Sequence, residues 1–337
     1  WHSFENKRVL GIVPVESDGS AYFEAPSGKF LFFQLLDEKK KMVQSMRSGV
    51  IVHPGETNGC IGCHEDRLSV PPVTTKMPLA MRKKPHKLSE NLKENLIFSY
   101  TRDLQPIFDK HCIECHDFGK EAGEKLLLAG DRNPYFNASY IDIHLKKQIA
   151  SVGGGPAEIQ QAFSWGSHPS NLVKVIEKGH HKVNLSQEEM ETIYLWIDLN
   201  GIYYPEYESA YPDNPAGRSP LTFEQLKRLG ELTGVNFSLL ADHQRKLGPQ
   251  ISFERPELSP CLLPIQMKGA EYLEALAIIE AGKIQLEKVP RADMEGFEPC
   301  EEQQVQLKKY MNRLKVEKEN NKAVSEGNLI YDKKMYP

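Results

Sequence analysis

Two short runs of residues carry the chemistry of this chain. Cys60-Ile61-Gly62-Cys63-His64 and Cys112-Ile113-Glu114-Cys115-His116 both read C-x-x-C-H, and together they take four of the six cysteines. Two thiols three residues apart can each form a thioether to one vinyl group of a single porphyrin. The histidine that follows then sits beneath the iron as its proximal ligand. A four-cysteine zinc site or a pair of redox dithiols would use the same cysteines, but neither needs a histidine directly after each pair. The expected cofactors are therefore two covalently bound haem c groups, one on Cys60, Cys63 and His64, the other on Cys112, Cys115 and His116. Thioethers of this kind are made after export, which implies a periplasmic or otherwise extracytoplasmic protein. The first residue is Trp1 and no signal peptide precedes it, as expected of a mature chain or an excised fragment.

The elements around the motifs must hold them in place. Before the second motif, Leu104, Ile107, Phe108 and Cys112 recur at helical spacing, with Pro106 in the first turns, where a missing N–H is tolerable. Far downstream, Ser186 and Glu189 form a capping box. Met190, Ile193, Tyr194 and Ile197 then mark an apolar helix face that Gly201 ends. A helix running into C-x-x-C-H and a closing amphipathic helix are the framework of a cytochrome c domain. Before the first motif, Val9–Val15, Ala21–Phe23, Phe30–Leu35 and Val50–Val52 are rich in β-branched and aromatic residues. Turn sequences at Ser17–Ser20, Ser27-Gly28 and Asp37–Lys41 separate them.

The expected fold class is α+β: an N-terminal antiparallel β-sandwich, a mainly α-helical cytochrome c-like haem domain, and a helical C-terminal extension. The boundaries read 1–56 for the sandwich, 57–96 for the first haem-binding segment with an irregular wrap, 97–204 for the domain with the second haem, and 205–337 for the extension. In the extension, Thr222 caps a helix beginning Phe223-Glu224-Gln225-Leu226. Ala270–Ala281 puts Tyr272, Leu273, Leu276 and Ile279 on one side, and Glu301–Lys322 reads as a solvated helix plus tail. Cys261 and Cys300 remain. In an oxidising compartment they are expected to form a disulfide closing a loop of about 40 residues, worth on the order of 3–4 kcal/mol, with two buried thiols as the alternative.

Composition bounds the function. The chain has 337 residues, 40% hydrophobic and 26% charged, which is ordinary for a globular protein. A formal charge of −4 without a basic stripe speaks against nucleic acid, and no apolar run is long enough to span a membrane.

Several segments resemble the hydrazine synthase alpha subunit. The run from Arg8 to Phe23 looks like its middle domain, as do Gln44-Ser45-Met46-Arg47-Ser48 and Pro54-Gly55-Glu56-Thr57. Asp103–Ile107, Gly179-His180-His181-Lys182-Val183 and Trp196–Asn200 are similar to the wider family of related dihaem c-type cytochromes. Arg255–Pro260 and Arg291–Met294 look familiar from relatives as well. The resemblance implies an upstream β-propeller domain or partner subunits. It also implies a catalytic first haem whose iron is bound by a tyrosine four residues past the motif histidine, with that histidine turned to zinc. Here the position is Leu68, which ligates nothing, so ordinary His64 ligation without zinc is expected.

For the second haem the resemblance points to His180 as distal ligand, with His181, His168 and His144 as alternatives; His111 is expected at the haem edge. For the first haem, His53, Met77, Met81 and His86 are all near enough in sequence to be the sixth ligand, and an open position is the other option. Two function classes follow. One is electron transfer to or from a redox partner protein through two six-coordinate haems. The other is a redox enzyme whose open first haem takes a small nitrogen- or oxygen-containing ligand.

Overall fold

A computed structural model describes residues 6–46, 48–61, 76–88, 96–152, 160–237 and 247–330. The N-terminal part holds two short antiparallel ribbons. β1 (Arg8–Val9) pairs with β4 (Leu96–Ile97), and β2 (Gln34–Leu36) pairs with β3 (Met42–Ser45) through a bulge at Leu35/Leu36. The expected sandwich is absent among the described residues. Phe23 and Val50 contribute only isolated bridges, to His86 and Leu31. Gly11 and Pro14 break the first predicted strand, since proline donates nothing to a ladder. Val15, Phe30 and Ile51 are left exposed rather than packed between two sheets.

The main core lies beside the second motif, with Cys112 packed against it. A π-helical turn at Tyr100–Leu104 runs into α1 (Gln105–His111), followed by α2 (Glu121–Lys125), α3 (Ala138–Leu145), α4 (Asn171–Glu177) and α5 (Gln187–Asp198). Leu104 at the end of the π-helical turn and Ile107 and Phe108 on α1 are buried, as are Ile193, Tyr194 and Ile197 on α5, as their spacing predicts. Ser186 and Glu189 make the reciprocal capping box, and the chain turns out of α5 through Asn200 and Gly201, both at positive φ. Tyr100 is the hub between the helices. Its ring lies 5.2 Å from those of Tyr140 and Trp196 and stacks on Tyr203 at 5.4 Å.

The C-terminal extension builds a second core from α6 (Phe223–Thr233) and α7 (Ala270–Lys288), centred on Leu229, Phe253 and Ile279. Thr222 caps α6 in a capping box with Gln225. On α7 the buried stripe runs through Ala275, Ile279, Gly282 and Leu286, whereas Leu273 points outward, against the expected face. α8 (Glu301–Ser325) buries no residue. Cys261 and Cys300 are free thiols, which corrects the expected disulfide. Cys261 is packed inside the second core, where burial pushes its thiol up to about 12, while Cys300 occupies the position just before α8. No helix among the described residues is long and apolar enough to cross a membrane.

Candidate functional site

α1 delivers the second motif. The Cys112 N–H donates to the Phe108 carbonyl at 2.8 Å. The N–H groups of Cys115 and His116 then both return to the Cys112 carbonyl, at 3.1 and 2.9 Å. One tight turn therefore carries both thiols and the histidine. Burial, with Asp109 adding to it, pushes the Cys112 thiol up to about 11. A redox dithiol needs the opposite, a thiol lowered towards neutrality, so this environment suits a sulfur that is capped rather than reactive.

The His116 ring is oriented by the loop that follows. Its Nδ1–H donates to the Leu126 carbonyl at 2.7 Å, since a carbonyl can only accept. That bond fixes the tautomer and leaves the Nε2 lone pair as the ligating atom. Facing it is His180: the two ring centroids lie 5.9 Å apart, tilted by 41°. Two imidazoles bound to one metal through M–N bonds of about 2 Å have ring centres about 6 Å apart, so the pair fits an iron held from both faces.

His180 reaches this position through unusual backbone. α4 ends at Glu177 with Lys178 as its C-cap, and Gly179 takes φ 85°, a left-handed conformation that a residue with a side chain adopts at a cost. His181 and Lys182 then sit at φ 45° and 65°. Such strain persists only where the surroundings impose it, and it gathers at functional sites. Burial lowers the His180 pKa, helped by the neighbouring His181 and His116, which favours the neutral ring a metal requires.

The other histidines go elsewhere. His181 is exposed and meets His180 edge-on at 4.4 Å. His168 lies 3.1 Å from Asp37 and edge-on to Phe163, and His144 packs against Tyr140 and Trp196. His111 Nε2 is 3.0 Å from Glu189 at the start of α5, so it joins two helices.

Of the first motif, Cys60 and Ile61 are exposed; Gly62, Cys63 and His64, and Leu68 beyond them, lie outside the described residues. Among the sixth-ligand candidates, His53, Met77 and Met81 are exposed. His86 alone has a buried ring nitrogen, Nε2, with no hydrogen-bond partner among the described residues. Its backbone is bridged to Phe23. Among the described residues no group of three or more His, Cys, Asp or Glu side chains could hold a bare metal ion.

Three features of the site escaped the sequence. The Leu126 carbonyl is a backbone group with no residue signature. Arg255, 138 residues beyond Asp117, forks onto that carboxylate beside His116. The β2–β3 turn also docks on α4 and α5: Lys41 pairs with Glu177 at 3.1 Å, Lys40 with Glu191 at 2.6 Å, and the Met42 N–H donates to Asp198 at 3.0 Å.

The family model described as hydrazine synthase alpha subunit middle domain matches residues 1–65. That stretch takes in the β2–β3 ribbon and the first motif and stops well before the second. No curated protein and no solved structure matches the chain. The N-terminal fifth is thus similar to the middle domain of a hydrazine synthase alpha subunit, while the likeness read in residues 66–204 has no counterpart in these comparisons.

Proposed function

We propose that the chain is a dihaem c-type cytochrome that transfers electrons outside the cytoplasm. Two haem c groups would be attached through Cys60 and Cys63 and through Cys112 and Cys115, with His64 and His116 as proximal ligands. The observation that carries the reading is the His116–His180 pair at 5.9 Å, with His116 Nδ1 tied to a carbonyl and Nε2 left to bind. His116 would hold the second iron from one side and His180 from the other, and the haem when bound supplies a one-electron couple. A six-coordinate iron has no place for a substrate, which suits relay to a redox partner protein better than catalysis. The chain's own contribution is to orient His116 through the Leu126 carbonyl and to lower the pKa of His180 by burial.

A second reading has its own support. The match to a hydrazine synthase alpha subunit middle domain over residues 1–65 favours a redox enzyme acting at the first haem on a small nitrogen- or oxygen-containing molecule. Carbon monoxide separates the two. In the relay reading both irons would hold sixth ligands, so the reduced, fully matured protein is expected to show no spectral change on adding carbon monoxide. A shift in about half of the haem absorbance would mean one open iron and would favour the enzyme.

A further inference from the structure

The loop from His116 to Asp131 leaves the second motif, turns through α2, presents the Leu126 carbonyl to His116, and returns at Asp131. Both ends of it meet one side chain. Arg255 places Nη1 and Nη2 on the two oxygens of Asp117 at 2.9 and 2.7 Å, and Nε and Nη2 on those of Asp131 at 2.8 and 2.6 Å. Asp117 directly follows His116, and Asp131 is buried, also accepting from the Ser252 hydroxyl at 2.6 Å. The Arg255 backbone N–H in turn donates to Ser252 Oγ at 2.9 Å, which ties the main chain carrying the guanidinium to the same serine that bonds Asp131. Within the loop, the Leu128 N–H returns to the His116 carbonyl at 2.9 Å and the Leu127 N–H to Asp142 at 2.6 Å.

We infer that Arg255 is a positioning residue for the second haem: it staples both ends of this loop and so holds the Leu126 carbonyl against His116 Nδ1. The inference rests on the reading of His116 as a haem ligand. An imidazole that donates its second N–H to a carbonyl is a stronger ligand and favours ferric iron. Loosening the staple should weaken that bond and raise the reduction potential. A bidentate fork to two carboxylates is open to arginine and not to lysine, whose ammonium acts as a point charge. Arg255→Lys therefore keeps the charge and removes the geometry. A cleft of about 430 Å³ lined by Asp109, Asp117, Asp131, Arg132, Glu254 and Arg255 leaves the shorter side chain hydrated rather than stranded.

The test is a redox titration of the complete, matured protein, followed through the low-spin electron paramagnetic resonance signal that His180→Ala abolishes. Arg255→Lys is expected to shift the ferric–ferrous equilibrium at least threefold towards ferrous iron while the low-spin signal persists. An unchanged or lowered potential, with only the melting temperature reduced, would overturn the inference and leave Arg255 a structural tie. If Arg255→Lys does not fold, Asp131→Glu displaces the same end of the loop with every charge kept, and the same rise is expected. A wild-type protein lacking that His180-dependent signal would instead refute the ligand reading itself.

Discussion

At the scale of single residues, the account turns on two imidazoles and the groups that aim them. His180 is set by Gly179 in the left-handed region, and His116 by the Leu126 carbonyl. His180→Ala is expected to convert one of two haems from low to high spin, read in the visible and near-infrared spectrum. An unchanged spectrum would remove His180 from the iron. Asp198 gives a second test. Burial pushes its carboxyl up to about 6, although Ser167 and the Met42 N–H donate to it and Lys41 lies near. The folded protein then holds a proton between about pH 4 and 6 that the unfolded chain has released, so by linkage stability falls as pH rises through that window. The stability advantage of wild type over Asp198→Asn in urea melts is expected to shrink by roughly 2–3 kcal/mol between pH 4 and 7. A constant gap would show that Asp198 is ionised throughout.

At the scale of elements, α1 and α5 are joined at Glu189, whose carboxylate reaches Lys110 at 2.9 Å and His111 at 3.0 Å while closing the box on the Ser186 N–H at 2.8 Å. Lys110, the Ser186 amide and His111 hold that carboxyl down at about 2. Its contribution is therefore present above the usual glutamate range and is lost as pH falls towards 2. Glu189→Gln keeps a side chain that can close the box and should cost under about 1 kcal/mol. Glu189→Ala loses the box as well and should cost about 1–2 kcal/mol, measured by denaturant melts at pH 7. These helices were legible in the sequence because caps and apolar faces are written within a few residues of each other. The sandwich was misread for the opposite reason. Val9, Phe23 and Val50 have strand-like neighbours, but a strand needs a distant partner, and here the partners supply two short ribbons and single bridges.

At the scale of the whole molecule, the extension and the N-terminal ribbon both brace the site from a distance. Buried Arg291 forks onto Asp293 at 2.8 Å on both arms and donates to the carbonyls of Asn133 and Pro134, and Tyr203 donates to Asp293 at 2.7 Å. Burial alone would raise the Asp293 carboxyl, yet Arg291 holds it down at about 2. Arg291→Met would leave that buried carboxylate with Tyr203 and the more distant Arg132, 3.7 Å away, and should cost about 3 kcal/mol. A loss under about 1 kcal/mol in denaturant melts would contradict the pairing. The two motifs could be read directly from residue spacing, and resemblance pointed to His180, whose ring the fold sets 5.9 Å from that of His116. The bracing could not, because Arg255 and Lys41 meet their partners only through the tertiary fold.

The central claim, covalent haem on both C-x-x-C-H motifs, is tested most directly by the intact mass of the chain produced in an export-competent host with haem maturation machinery. The expected result is a mass increase of two haems over the polypeptide, falling to one haem when Cys112 and Cys115 are both replaced by alanine. A chain carrying one haem or none would contradict the account.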